Sequence, residues 1–538
     1  MTQQHIARLP RAFLILCCAI YAVITAVHWN YGYIDFGDGN YIYISWRMAQ
    51  GTMVYRDILA PQPPMHLYTG MMLVKLAALL GTPMILAFRS FSLLLHIITA
   101  VLVYLSANRL ARPAENDPRP ASTAPGAWAA AIYLLLPLGF WWSMGYQSEP
   151  LEMVFIMAAF ILFLRFTPAA MAGAGTLMAL ATLTNMTAAP YTLFCMGYLA
   201  VRRPRLLAAY LLPCVALLVA VSALLEWRTG AYLENVIMNQ VGSFPREEFL
   251  PAGQTLYSYA WGKIVREGMD VFILEGGFIV LGLLGLLQFS RRGEPEACEF
   301  ATFFGFFAMC SILYVSKGGT VDYIFTIGEP FTAAFAGIFL WEFTRKNLSR
   351  WRREISWRNW TPIAAAMATA ALAVLLLGRG LSHSYDTLKQ RTYEQDEAGA
   401  KMVADTIQKN VPEDGLVLAP PYYAVLAERK IVEDYSEILL WQLKYHNEVF
   451  DKERGRGVET TERIAQKLRD KQVNFVVLDL NQTGKIKPIA DAIAAAYEPV
   501  RIKELNTLNT RLMFFRPKSA PAADNVAVPP VVNPALVL

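Results

Sequence analysis

The segment DFGDGNYIYISWRMAQGTMVYRDILAPQPPMHLY runs from Asp35 to Tyr68, between the first two long apolar runs of the chain. We call it the acidic loop. It places Asp35 and Asp38 beside an apolar run and among aromatic residues, and it continues through Tyr55-Arg56-Asp57 and Pro63-Pro64. Carboxylates next to a membrane span are common, but two carboxylates close together in an aromatic-rich segment are less common. We therefore predict that the acidic loop forms an active site at the outer face of a membrane.

The composition assigns the chain to a class. Of its 538 residues, 55% are hydrophobic and only 17% are charged, whereas soluble proteins have about 45–50% apolar and about 25% charged residues. The apolar excess falls in runs near the roughly 20 residues that cross a bilayer as a helix. These features predict a polytopic α-helical membrane protein. The net charge of +5 does not indicate nucleic-acid binding, because the basic residues lie in short loops between the runs.

The apolar runs and the basic loops together predict a topology of eleven spans. The basic loops fall on one side of these spans, which places the N-terminus in the cytoplasm and the segment after the last span outside. We expect an integral protein of the bacterial inner membrane. The predicted spans are 12–29, 84–106, 126–143, 151–166, 171–187, 188–201, 206–226, 271–290, 299–316, 324–342 and 361–379.

Two regions depart from simple spans. The run 66–80 is short and contains Lys75, so we predict an amphipathic helix in the outer interface. A similar helix is predicted at 40–50, with Tyr41, Tyr43 and Trp46 as an aromatic belt at headgroup level. The region 171–201 is interrupted at Asn185 to Pro190, so a re-entrant pair remains an alternative to two crossings.

The chain changes character after residue 380. We predict a transmembrane module at 1–380, which includes the outer-loop interfacial helices at 31–82, then an extracytoplasmic α/β domain at 381–516 and a disordered tail at 517–538. In the α/β domain helix-like and strand-like stretches alternate, without a dinucleotide fingerprint or a phosphate loop. The cysteines and histidines show no zinc-ligand spacing, so no metal site is predicted. A divalent cation remains open as a cofactor.

The motifs of the acidic loop resemble the first outer loop of the polytopic C-type glycosyltransferases, a superfamily that includes the protein O-mannosyltransferases and the lipid A aminoarabinose transferase. The motifs that carry the resemblance are Gly37-Asp38-Gly39, Tyr41, Ala49 to Gly51, Tyr55-Arg56-Asp57, Pro63-Pro64, Gly81, Arg89 and the second outer loop Tyr146-Gln147-Ser148-Glu149-Pro150. The order of many spans followed by an outer α/β domain is also similar. Two departures exist: Gly37 stands where relatives often carry a first acid, and Gln62 stands where many carry a lysine.

The resemblance implies an inverting glycosyltransferase with a polyprenyl-phosphate-linked sugar as donor. Its partners would be membrane lipid and a glycan, lipid or protein acceptor. Such a reaction needs a carboxylate to accept the proton of the acceptor hydroxyl and cationic or dipolar groups for the departing phosphate. The catalytic candidates are Asp38 as the base, Glu149 and Asp35. The candidates for binding the donor phosphate are Lys317, Arg89, Gln62, Tyr323, Tyr55 and Arg56.

Each main candidate also has a structural interpretation. Asp38 and Asp35 are typical of turns, and Glu149 is favourable at a helix start. Arg89 at a span end would snorkel to the interface, and Lys317 would be an ordinary charge of an outer loop. Two other functions stay open. A transporter or flippase of lipid-linked glycans predicts internal repeats and charges buried within spans, and a non-catalytic assembly subunit predicts that Asp38 is dispensable.

Overall fold

The computed structural model is mainly helical. The residues that it describes are 3–28, 36–112, 122–136, 138–139, 145–238, 253–290, 295–311, 325–351, 397–435, 461–479, 487–500 and 512–518. The predicted span 361–379 and nearly all of the predicted tail at 517–538 lie outside these residues, as do Asp35, Lys317 and Tyr323.

A helical bundle forms the first part of the chain. Its helices are α1 (Gln3–His28), α2 (Phe36–Ala49), α3 (Pro64–Leu80), α4 (Met84–Leu110), α5 (Ala124–Leu135), α6 (Glu149–Phe163), α7 (Pro168–Thr184), α8 (Ala189–Arg202), α9 (Pro204–Thr229), α10 (Leu256–Phe289), α11 (Pro295–Met309) and α12 (Glu329–Trp351). A short π-helix, Leu233–Met238, follows α9.

Three helices of the described part are long and apolar enough to cross a membrane: Met84–Leu110, Pro204–Thr229 and the Val271–Phe289 part of α10. Shorter apolar helices lie at Pro10–Ala26, Pro64–Leu80, Ala124–Leu135 and Pro168–Thr184. The other predicted spans stay predictions.

Helix α5 lies at the centre of the bundle. It packs against α1, α4 and α12. Its contact with α12 is close, because a Cβ added at Gly337 would lie 2.5 Å from the backbone nitrogen of Ala129. Small residues allow such close helix packing where lipid replaces water as the solvent.

A small α/β layer follows the bundle. It contains α13 (Glu397–Asn410), β1 (Leu416–Leu418), α14 (Pro421–Leu426), β2 (Lys430–Ile431), α15 (Thr461–Arg469), β3 (Phe475–Asp479), α16 (Lys487–Ala496), β4 (Tyr497–Pro499) and β5 (Leu512–Pro517). The five strands form one sheet in the order β2-β1-β3-β5-β4. The first three strands pair in parallel and β5 is antiparallel to both of its neighbours, with Val417 opposite Phe475 and Val476 opposite Phe515.

The α/β layer is joined to the acidic loop by a shared hydrophobic core. Buried residues of α2 and α3 belong to the same cluster as the interior of the sheet, and α2 packs on α14. Helix α2, within the described part of the acidic loop, therefore lies against the α/β layer.

Candidate active site

Helix α2 carries the predicted base in its first turn. Asp38 is its third residue, a position where the helix dipole favours a carboxylate. Only the backbone of Asp38 is described. The next residue, Gly39, lies against α14, because a Cβ added there would be 3.0 Å from both the Cβ and the backbone nitrogen of Tyr422. The turn that holds Asp38 is thus in direct contact with the α/β layer.

An aromatic stack joins the acidic loop to the second predicted outer loop. The Tyr41 ring meets the His66 ring edge-on at 4.7 Å, and His66 stacks on Tyr146 at 4.1 Å. Tyr146 also donates a hydrogen bond of 2.7 Å to the carbonyl of His66 and meets Phe88 of α4 at 4.5 Å. Regions that the sequence predicted to share a site are therefore held together.

His66 is a polar residue of this stack that the sequence analysis missed. Its side chain is fully buried, and burial lowers the pKa of the imidazole to about 3. The ring is therefore neutral at physiological pH. Within the described residues, neither ring nitrogen has a hydrogen-bond partner.

Two buried carboxyl groups lie on the first turns of α6. Glu149 is 5% exposed and accepts a hydrogen bond of 3.0 Å from the side-chain amide of Asn185, which also donates to the Ser148 hydroxyl at 3.0 Å. Glu152 lies three residues further along the helix and accepts from the Thr187 hydroxyl at 2.7 and 2.9 Å. Glu149 is thus a buried, hydrogen-bonded residue, and it also begins α6, as the structural interpretation predicts.

The break between α7 and α8 holds these acids. Asn185 ends α7, begins the 3₁₀ turn Met186–Ala188, and accepts a backbone hydrogen bond from Thr187. The interruption is visible in the sequence, but its contact with the second outer loop is not. Residues Glu152, Asn185 and Thr187 were missed. The i, i+3 spacing of Glu149 and Glu152 was the signal that could have found Glu152, because such residues share a helix face.

Arg89, a candidate for the donor phosphate, lies in the second turn of α4. Its side chain is 2% exposed, so the protein encloses it, and a snorkelling side chain is excluded. It follows Phe88, which contacts Tyr146 of the stack. A guanidinium in such surroundings requires charge-compensating partners.

The other candidates lie in the turn between α2 and α3. Tyr55 is buried with a left-handed φ of 71°, and its hydroxyl donates to the Gln62 carbonyl at 2.9 Å. The Asn235 side chain donates to the Tyr55 carbonyl at 3.2 Å. Arg56 is exposed and forms an ion pair of 2.8 Å with Asp57, and this hydrogen bond lowers the pKa of the Asp57 carboxyl. The Tyr55 hydroxyl is therefore engaged within the loop, whereas Arg56 lies at its surface.

The structure shows that the prediction of an aromatic belt is wrong for Tyr43. This side chain is fully buried against the α/β layer, where its hydroxyl donates to Asp434 at 2.7 Å. It therefore does not lie at a lipid headgroup. Among the described residues, no group of three or more His, Cys, Asp and Glu side chains is arranged to hold a metal ion.

Comparison with solved structures shows that the fold of this chain is similar to that of ArnT, a polytopic C-type glycosyltransferase, as the resemblance implied. The crystal structure of ArnT from Cupriavidus metallidurans bound to undecaprenyl phosphate matches with a TM-score of 0.60 and 12% identity, over 96% of this chain and 99% of that chain. The same protein in the apo state matches with a TM-score of 0.57 and 13% identity, over 93% of this chain and 97% of that chain. No protein-family model matches the chain, and no curated protein matches it.

Proposed function

We propose that this chain is a membrane glycosyltransferase that moves a sugar from a polyprenyl-phosphate donor to an acceptor hydroxyl at the outer face of the membrane. The observation that carries the proposal is the likeness to ArnT, a structure determined with undecaprenyl phosphate, over 96% of this chain. Coverage of this extent includes the bundle and the α/β layer. A lipid phosphate is the ligand that this likeness favours.

In the proposed reaction Asp38 accepts the proton of the acceptor hydroxyl while the oxygen of that hydroxyl attacks the anomeric carbon of the donor sugar. The bond from that carbon to the phosphate oxygen breaks, and the lipid phosphate leaves with an added negative charge. Attack from the opposite face inverts the anomeric centre. A positioned base contributes about 10²–10⁴-fold to such a step.

The buried groups around the stack have supporting roles in this proposal. Glu149, fixed by Asn185, would orient the acceptor or the sugar. Arg89 and Lys317 would stabilise the phosphate as its charge grows, since charge-assisted contacts are the stronger ones. The topology that suits these roles has the N-terminus in the cytoplasm and the α/β layer outside.

A transporter of lipid-linked glycans is the second candidate function, and one observation favours it. Glu275 of α10 and Glu329 of α12 are both fully buried inside the bundle. Glu275 accepts a hydrogen bond of 3.0 Å from the Leu138 backbone. Buried acids within spans are typical of transport pathways, and the sequence analysis had not identified this pair.

The variant Asp38→Asn tests the proposed base. The amide keeps the size and polarity of the carboxylate but cannot accept the proton, so we expect turnover to fall by at least about 10²-fold. Asp35→Asn should have a smaller effect. The matched control is Asp405→Asn on the exposed face of α13, which should retain parental turnover. Full activity of Asp38→Asn in correctly folded protein would exclude Asp38 as the base.

A further inference from the structure

A buried contact joins the helix of the proposed base to the α/β layer. Arg47 of α2 forms two hydrogen bonds with Asp434, at 2.6 Å from Nε and 3.1 Å from Nη2. Tyr43 donates to the same carboxylate at 2.7 Å and accepts the Ile431 backbone N–H at 2.9 Å. We call the side chains of Tyr43, Arg47 and Asp434 the clasp.

The protonation of Tyr43 suits this geometry. Burial raises the pKa of its phenol well above the usual value. The hydroxyl therefore keeps its proton at neutral pH, and it can donate to Asp434 while it accepts from Ile431. Asp434 also lies 3.6 Å from the Lys430 ammonium, so its carboxylate faces two cations and one hydroxyl.

The turn that carries Asp434 has an uncommon backbone. Glu433 and Asp434 have φ values of 56° and 50°. These values lie in the left-handed region, which residues other than glycine rarely adopt. Such conformations persist only where the surroundings hold them. Here Glu433 pairs with Lys467 inside the α/β layer, and Asp434 pairs with α2. The turn therefore directs Glu433 toward α15 of the α/β layer and Asp434 toward α2.

The clasp lies near the proposed base along the same helix. Tyr43 follows Asp38 by five residues, which is roughly 7.5 Å along a helix axis. The first turn is held at a second point, where Gly39 meets Tyr422. Movement of α2 relative to the α/β layer would therefore displace Asp38.

We propose that Asp434 is a positioning residue, which holds α2 against the α/β layer and thereby fixes Asp38 relative to the bound donor. The proposal rests on the proposed function for its catalytic half. A buried ion pair is weak support for stability alone, since hydrophobic replacements are often as stable, and its best-attested role is to fix register. Three hydrogen bonds that converge on one carboxylate define a single register of α2.

The test compares Asp434→Asn with Glu433→Gln. Asparagine tolerates the left-handed backbone and can still accept from Tyr43, but it removes the charge that pairs with Arg47. Glu433→Gln removes a neighbouring charge that pairs within the α/β layer, and the glutamine amide oxygen can still accept a hydrogen bond from Lys467, so the turn is kept. Purified full-length protein in nanodiscs is examined by hydrogen exchange of residues 39–49 and by transfer kinetics.

For Asp434→Asn we expect exchange in α2 to rise by about tenfold or more, and kcat to fall by about 10–100-fold, since a misplacement of about 1 Å can cost 10²-fold. The KM for the donor should stay within about threefold, because the phosphate contacts are elsewhere. Glu433→Gln should match the parent in both measurements. Tyr43→Phe, which keeps the ion pair, should give a smaller change of the same kind.

The proposal would be overturned if α2 of Asp434→Asn exchanged hydrogen at the same rate as α2 of the parent protein. It would also be overturned if exchange rose while kcat stayed at the parental value. The same rise in exchange and fall in kcat in Glu433→Gln would also overturn the proposal, because both changes would then reflect a general effect on the α/β layer. If the parent itself transfers no sugar, the proposed function fails. The exchange of α2 in Asp434→Asn then still decides whether Asp434 positions the helix.

Discussion

At the scale of single residues, the site depends on polar groups buried beside one another. Glu149 and Glu152 face the break at Asn185 and Thr187, and each acid accepts at least one hydrogen bond. Burying a carboxyl group is costly unless hydrogen bonds compensate it. Asn185 is the residue on which this arrangement depends most, because its amide serves both Ser148 and Glu149.

Asn185→Ala should therefore lower stability. The substitution removes both hydrogen bonds that Asn185 donates to buried acceptors, which costs about 1–3 kcal/mol. Asn185→Asp should cost more, because it adds a third carboxyl group beside two others. The measurement is thermal unfolding in detergent or nanodiscs, together with turnover.

Asn410→Ala is the matched control, since the Asn410 amide donates to the Thr406 carbonyl in an exposed position. Its free energy of unfolding should lie within about 0.5 kcal/mol of the parental value. If Asn185→Ala is as stable as Asn410→Ala, the hydrogen bonds of Asn185 do not hold the acids.

Part of the proposed site could be expected from the sequence. Glu149 and Arg89 could be named as candidates because their positions match motifs of the superfamily that the chain resembles, and the structure buries both side chains. Thr187 and His66 could not, because their roles depend on contacts between segments far apart in the chain. Glu152 has a local signal in its i, i+3 spacing from Glu149, but its contact with Thr187 has none.

At the scale of elements, apolar periodicity predicted the longer helices well. The expected helix at 66–80 is found as α3 (Pro64–Leu80), and the run at 84–106 is found as α4 (Met84–Leu110). Strand β2 has two residues and α14 has six. Elements this short contain no full period of the pattern, so the sequence did not indicate them.

The packing of α2 on α3 depends on Gly70. A Cβ added there would lie 2.9 Å from the Cβ of Ser45 and 3.1 Å from the Tyr146 hydroxyl. Gly70→Ala should therefore separate α2 from α3 and destabilise the protein by about 1–3 kcal/mol through overpacking, and turnover should fall with it. Thermal unfolding and transfer assays of the variant check both effects.

Gly197→Ala in α8 is the matched control. Among the described residues outside its own helix turn, no atom lies within 4 Å of a Cβ added there, so the helix propensity of alanine should raise stability by roughly 0.5–1 kcal/mol. Equal stability of the two alanine variants would show that the contact at Gly70 is not tight.

At the scale of the whole molecule, the α/β layer packs against the elements that carry the proposed site. Its core is continuous with that of α2 and α3, and Asp434 binds two side chains of α2. The sequence predicted alternating helices and strands after residue 380, but not where this layer would dock. It also assigned Tyr43 to a lipid interface, because an aromatic side chain near a membrane suits both a belt and a protein contact.

Sugar transfer and transport of the intact donor are distinguished by a reconstituted assay. Purified protein in liposomes is incubated with a panel of polyprenyl-phosphate sugars and candidate acceptors. Released lipid phosphate, glycosylated acceptor and movement of the intact donor across the bilayer are followed together. We expect one donor to yield lipid phosphate and glycosylated product in equal amounts, with loss of both in Asp38→Asn. Movement of intact donor without its cleavage would contradict the claim and favour the transporter.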